Sequence, residues 1–271
     1  MELSLQYVQD QSFSDLGRAI FDIIKATLQY PAEPQAKAIK LANDVKFFYE
    51  ASHQTTDTVD WETWWVVLDV VCCIPPDHPW QDSLVQSLDI LRQRDGSDSN
   101  DDPSLASKVL SSFSMTVREK WDALQGEELS DDHDEYFRWK NYNSFIARIT
   151  RNDFDFWLAL PIWQLRETLE EPPVKGSEMR CRIWVASEWI IHCTDHIFNF
   201  VNTKEEIDES TARAYQGGSL YDGKPPLRVE RWEFWKKRFL EIATDATSLE
   251  LDGHTTVRIS DALKIMDSVK A

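Results

Sequence analysis

A chain of 271 residues is long enough to bury a large core, as one large domain or two small ones. Its 12 Trp, 13 Phe and 7 Tyr exclude a disordered chain, which lacks the apolar area to offset its conformational entropy. A formal charge of −18 sets its field against phosphate backbones and anionic headgroups, so neither nucleic acid nor membrane is expected as a partner. The longest apolar stretch, Trp64 to Ile74, is cut by Asp69 and is far shorter than the roughly 20 residues of a bilayer span. The first ten residues show no basic segment followed by an apolar one, and no Asn-x-Ser/Thr acceptor occurs, so a cytoplasmic protein is expected, with the nucleus also open.

Gly is scarce, and alternating Val, Ile and Thr bounded by Gly turns hardly occurs, so the expected fold is all-α. Between Ser12 and Tyr30, Phe13, Leu16, Ile20, Ile23, Ile24 and Leu28 recur at spacings of three and four, and Pro31 stops the run. A second helix is expected from about Pro34 to Glu50, with Ile39, Leu41, Ala42, Val45 and Phe48 inward. A third, about Asp60 to Ile74, is apolar nearly all round and therefore central; Pro75 and Pro76 end it. A fourth runs from about His78 to Gln93 and carries Leu84, Leu88 and Leu91.

The segment RDGSDSNDDP, Arg94 to Pro103, has no apolar residue to pack and is expected as an exposed acidic loop. Oxygen-bearing residues alternate there at Asp95, Ser97, Ser99 and Asp101, but a calcium loop also needs a Gly at its sixth place and a closing Glu. Further helices follow at about Ser104 to Leu124, Asp131 to Thr150 and Asp153 to Glu171, the last kinked at Pro161. Pro172, Pro173 and Gly176 make a turn before a helix from about Glu178 to Val201. Thr203 and Glu206 spell a capping box for a short helix to about Tyr215, which leads into the loop GGSLYDGKPP. Trp232, Trp235, Phe239 and Ile242 form the buried stripe of a helix from about Val229 to Thr244, with Glu233 and Lys237 as a surface pair. A last helix is expected from Ser260 to Lys270. With no repeat of fixed period, the reading is an irregular bundle of stacked helical hairpins, about ten to eleven helices. It comprises an N-terminal lobe (1–93), the loop (94–104) and a C-terminal lobe (105–271), joined as one compact domain.

Adjacent Cys72 and Cys73 diverge by about 100° on a helix, and Cys181 and Cys193 lie roughly 18 Å apart along another, so neither couple suits a disulfide; pairing across the two sites stays open, and with no staple framework and no Cys-x-x-Cys buried free thiols are expected. Glu188, His192 and His196, at intervals of four, are the best metal candidates: two imidazoles and a carboxylate suit zinc. Yet Glu188, His192, Asp195, Asn199 and Asn202 also trace one polar stripe opposite Ile183, Ala186, Ile190, Cys193 and Ile197, and a solvated face accounts for them without metal. No metal and no cofactor is expected. Asp131, Asp132 and Glu135 spell the D-D-x-x-E of diphosphate-binding cyclases, but they follow Ser130 in a first turn where the helix dipole already favours acids. Arg228, Arg231, Lys236, Lys237 and Arg238, interleaved with aromatics, read as the solvated face of a core helix rather than a nucleic-acid surface. Glycine-rich phosphate loops, nucleophile elbows and His-Glu-x-x-His are absent.

The successive segments YFRWKNYNSFIARIT, WLALPIWQLRETLEE, CRIWVASEWIIHC and GGSLYDGKPPLRVERWEFWKKRF resemble a fungal family known as domain-of-unknown-function family 3632. The resemblance is strongest over about 136–240, at Asn143 to Arg148, Leu158 to Glu170, Val185 to Ile190 and Glu230 to Phe239, and loose before it. It implies a fungal origin and a helical fold, and no activity. The residues it singles out, Arg148, Trp189, Trp232, Trp235 and Arg238, read as aromatic anchors of a core and arginines bridging helix ends.

Two functions are compatible with these features. The first is a non-enzymatic module that binds an unknown protein partner, in keeping with the acidic surface and the lack of a catalytic signature. The second is a binder of a small apolar ligand, or a cofactor-free isomerase or cyclase, with a pocket lined by Trp157, Trp163, Trp189 and Trp232.

Overall fold

A computed structural model describes residues 3–52, 58–95, 105–126, 133–151, 158–203, 207–223 and 226–269. These contain twelve helices and no strand, so the chain is all-α. It groups into two compact units, Met1–Phe145 and Ile146–Ala271.

The first unit begins with α1 (Gln6–Gln9) and α2 (Asp15–Gln29). Ser14 caps α2, its Oγ accepting from the Gly17 amide at 3.1 Å and donating to Glu62 Oε2 at 2.7 Å, and Ile20, Phe21, Ile24 and Leu28 are buried. In α3 (Pro34–Ser52), Leu41, Ala42, Val45 and Phe48 face inward, but Ile39 is 43% exposed and Ala38 takes the inner position beside it. The apolar helix α4 (Thr58–Cys72) is central as expected: Trp64 and every residue from Val66 to Cys72 is buried. It packs on α2 and on α6 (Leu105–Gly126), while α5 (Pro79–Asp95) packs on α3 and α6. The Trp64 ring lies 4.6 Å from that of Phe113. Asp69, in the last turn of this apolar helix, is neutralised by Lys120 of α6 at 2.5 Å, and the Lys120 ammonium sits 4.5 Å from the Trp65 ring.

Helix α7 (His133–Thr150) runs from the first unit into the second. Within the first, Trp139 packs on Trp121 of α6 at 4.7 Å and the Tyr142 hydroxyl donates to the Val117 carbonyl at 2.6 Å. The second unit continues with α8 (Ala159–Leu169), α9 (Gly176–Val201), α10 (Glu209–Ala214), α11 (Val229–Thr244) and α12 (Gly253–Ser268). Helix α9 is its spine, packed against α8, α11 and α12. Ile183, Ala186, Ile190, Cys193 and Ile197 are wholly buried along it.

Three expectations about elements are corrected. Pro161 lies in the first turn of α8, where no intrahelical donor is required, so it makes no kink. Helix α9 bends instead at Cys193, whose backbone leaves the helical region (φ −123°, ψ 21°) and whose thiol donates to the Ala147 carbonyl at 3.1 Å. Helix α12 starts well before Ser260, at Gly253, because Asp252 caps it by accepting from the Thr255 amide at 2.7 Å. Glu206 of the expected capping box lies outside the described residues; α10 is capped by Asp208, which accepts from the Thr211 amide at 2.9 Å. Most of the acidic stretch 94–104, and Asp131 and Asp132, also lie outside them.

Candidate functional site

Helix α8 ends in an electrostatic anomaly. Glu170 and Glu171 stand at its C-terminus, where the helix dipole disfavours anions. Glu170 is nonetheless completely buried, and it is held there by Arg231 in the first turn of α11, also completely buried.

All five guanidinium donors of Arg231 are used. Its Nε donates to Glu170 Oε1 at 2.6 Å and Nη2 to Oε2 at 3.1 Å, the two-pronged geometry that suits a carboxylate. The remaining donors go to backbone carbonyls: Nη1 to Tyr215 at 2.6 Å and Pro226 at 3.0 Å, Nη2 to Gln216 at 3.5 Å. Glu170 in turn accepts from the Trp235 indole at 2.6 Å and the Gly218 amide at 2.8 Å, and its own carbonyl accepts from the Leu220 amide at 2.8 Å. Glu171 adds bonds from the amide and hydroxyl of Ser219 at 3.2 and 2.6 Å. One buried ion pair thus ties down both ends and the middle of the loop from Tyr215 to Pro226.

Other contacts hold the start of the loop. The Trp163 indole donates to the Ala214 carbonyl at 3.0 Å, and the Tyr215 ring meets Phe200 edge-on at 5.1 Å. Gly218 is required by close approach: a Cβ there would lie 2.6 Å from the Glu170 carbonyl oxygen. Tyr221 packs on Phe234 at 5.1 Å with the Arg231 guanidinium 5.6 Å from its ring. Burial pushes its phenol above the ordinary range, so it is a neutral hydroxyl at physiological pH.

This scaffold forms one side of a cavity of about 580 Å³, bounded by α10 and the loop. Tyr221, Pro226 and Ala212 supply apolar wall, Gln216 and the two glycines Gly217 and Gly223 supply amide groups, and Glu209 and Asp222 supply acid. Arg213 also lines it, but its Nε is turned back onto the Glu209 carbonyl at 3.4 Å. The arrangement offers carboxylates, a phenol and backbone groups on a fixed frame, which suits recognition of a polar or cationic group.

The sequence candidates are distributed differently. Glu188 is buried, not solvated, because α12 covers it: Arg258 pairs with its Oε2 while lying 4.4 Å from the Trp184 ring, and His192 Nε2 is 3.2 Å from its Oε1. The bend at Cys193 falls between His192 and His196 and breaks the straight-helix relation assumed for them. Among the described residues no group of three His, Cys, Asp or Glu could hold a metal ion. Trp189, Trp232 and Trp235 are buried; Trp232 meets Phe198 edge-on at 5.3 Å and Trp235 at 6.3 Å. Trp163 is half-buried, and Trp157 lies outside the described residues.

Arg238, within α11, donates from Nε to the Leu169 carbonyl at the end of α8 at 2.9 Å and from Nη1 to Glu241, three residues on in its own helix, at 2.5 Å. Arg148 is half-buried in the last turn of α7. Lys237 reaches forward to Glu241 at 3.6 Å rather than back to Glu233, which is met by Lys236 at 3.7 Å. Arg231, grouped in sequence with the solvated basic face, is the largest correction. The acids at the end of α8 were the available signal for it, since a helix C-terminus tolerates them only with a nearby cation.

No curated protein and no solved structure shows a significant match to the chain. A family model described as "Protein of unknown function (DUF3632)" matches residues 64–239, from the middle of α4 to Phe239 of α11, and includes Glu170, the loop and Arg231. With well over half of its length matched, the chain belongs to the DUF3632 family.

Proposed function

We propose that the chain is a non-enzymatic helical protein-interaction module, and that it receives a basic segment of its partner at the cavity beside Tyr221. The observation that carries this reading is the Glu170–Arg231 pair, whose spare donors all go to the loop backbone. A buried ion pair seldom stabilises more than apolar residues of the same volume would, so its use here is to hold one loop conformation. A preformed recognition surface avoids the ordering cost that a mobile loop meets on binding. Glu209 and Asp222 at the rim, within a chain of charge −18, favour and steer a cationic group. The four buried cysteines, none of them in a disulfide, support a reducing compartment, cytoplasm or nucleus.

The alternative, a small apolar ligand in a Trp-lined pocket, has less behind it. Trp189, Trp232 and Trp235 are spent on packing, and among the described residues no Trp lines the cavity beside Tyr221. Fluorescence polarisation with labelled Lys/Arg-rich peptides and their Glu-rich counterparts tests the proposal. Basic peptides are expected to bind, and the double variant Glu209→Gln/Asp222→Asn is expected to weaken them about tenfold, the loss of one or two charge-assisted contacts. Equal affinity for basic and acidic peptides, or none for either, would overturn it.

A further inference from the structure

We infer that the first unit carries a separate site for a single-chain amphiphilic carboxylate, of the kind represented by a medium-chain alkyl acid. A cavity of about 520 Å³ lies between α2 and α3, within the roughly 300–1,000 Å³ typical of small-ligand sites. Its wall is apolar, built from Ile23, Ala26, Tyr30 and Ala36, with Lys37 and Lys40 also lining it. Small side chains make the space, and Tyr30, 67% exposed, stands at its edge.

The charge of the site runs against that of the chain. Among the described residues no carboxylate lines this cavity, although the protein carries an excess of 18 acidic charges. Lys40 shares its ammonium with Asp44 at 2.6 Å. Lys37 has no carboxylate partner among the described residues: it donates to the Leu28 carbonyl at 2.6 Å and lies 5.9 Å from the Trp80 ring, with further donor capacity unspent. Ala36 and Lys37 also belong to the first turn of α3, the positive end of its dipole. An apolar chamber with cations to one side complements a ligand with an alkyl body and one anionic head. A cationic or doubly polar ligand gains nothing there.

The test is isothermal titration calorimetry of the full chain with dodecanoate, below its micelle concentration, against dodecyltrimethylammonium with the same tail. Dodecanoate is expected to saturate at one site per chain and the cationic amphiphile to bind at least about tenfold more weakly, since it cannot make the charge-assisted contact. Lys37→Met/Lys40→Met is expected to lose a similar factor. Because Lys37 also caps α2, Ala36→Glu serves as a second variant: it adds an acid at an exposed position of the wall and is expected to give the same loss with unchanged circular dichroism. Ala26→Phe, which fills the space, is expected to abolish binding. Equal binding of the two amphiphiles, absence of dodecanoate binding, or full binding by Ala36→Glu would each overturn the inference, the first by showing an apolar groove open to any hydrophobic chain.

Discussion

Arg231→Met leaves the Glu170 carboxylate buried with half its bonds, and is expected to cost about 3–5 kcal/mol in urea denaturation. Glu170→Met/Arg231→Met is expected to cost less than either single change, because no lone charge remains; a double variant as damaged as the sum of the singles would contradict this. Two glycines make a complementary pair. Gly218→Ala drives a Cβ against the Glu170 carbonyl and is expected to destabilise by about 1–3 kcal/mol, whereas Gly253→Ala meets open space and is expected to be neutral or stabilising by up to about 1 kcal/mol. At this scale the sequence was legible where a residue's fate depends on its own helix. The Trp232, Trp235, Phe239 and Ile242 stripe is buried as its spacing implies. Glu170 and Arg231 are 61 positions apart, and no local pattern joins them. Arg231 therefore looked like any other basic residue on an amphipathic helix.

Helix boundaries were legible where an apolar run and a breaker coincide, as for α2 before Pro31 and α4 before Pro75. They were missed where a cap alone decides, as at Asp252, which starts α12 ahead of its apolar residues. Asp252→Ala is expected to cost about 1 kcal/mol and Asp252→Asn, which keeps the acceptor, much less, both read by thermal unfolding. The acid dependence has a definite sign. Bonds from the amide and hydroxyl of Thr255 hold the Asp252 carboxyl below its usual range, so the folded state favours the ionised cap. That contribution is complete above the ordinary Asp pKa of about 3.9 and is lost as pH falls through the lowered value. Asp252→Asn is expected to remove this part of the acid transition. The bend of α9 was invisible for a different reason: no Pro or Gly marks Cys193, and the thiol's bond to the Ala147 carbonyl is a tertiary contact.

The all-α class followed from composition and period alone, because few glycines and long 3.6-residue patterns leave strands nothing to build on. The grouping of the helices is a separate matter: the sequence reading sets its lobes on either side of the acidic stretch 94–104, where composition changes most, and the contacts group the chain as Met1–Phe145 and Ile146–Ala271, a division that falls within α7. Helix α6 groups with α4 and α5 because its Phe113, Val117 and Trp121 are buried, and bulky side chains decide such groupings more than the polarity of a connecting loop. The thiols report on each unit: all four are buried, and burial pushes Cys72 up to about 12 and Cys73 up to about 11. A maleimide is expected to leave the native chain unlabelled at neutral pH and to add four labels in urea; rapid labelling of the native protein would mean a looser core than described.

The Glu170–Arg231 pair is the clamp proposed to give the loop its shape. Hydrogen exchange of the Gly218 and Leu220 amides, compared between the native chain and Glu170→Met/Arg231→Met, tests it most directly, since the Gly218 amide donates to the Glu170 carboxylate and Leu220 to its carbonyl. Strong protection of both amides is expected in the native chain and its loss in the variant, with α9 still protected. Equal protection in both would show that the loop is shaped without the pair, and the clamp would have to be abandoned.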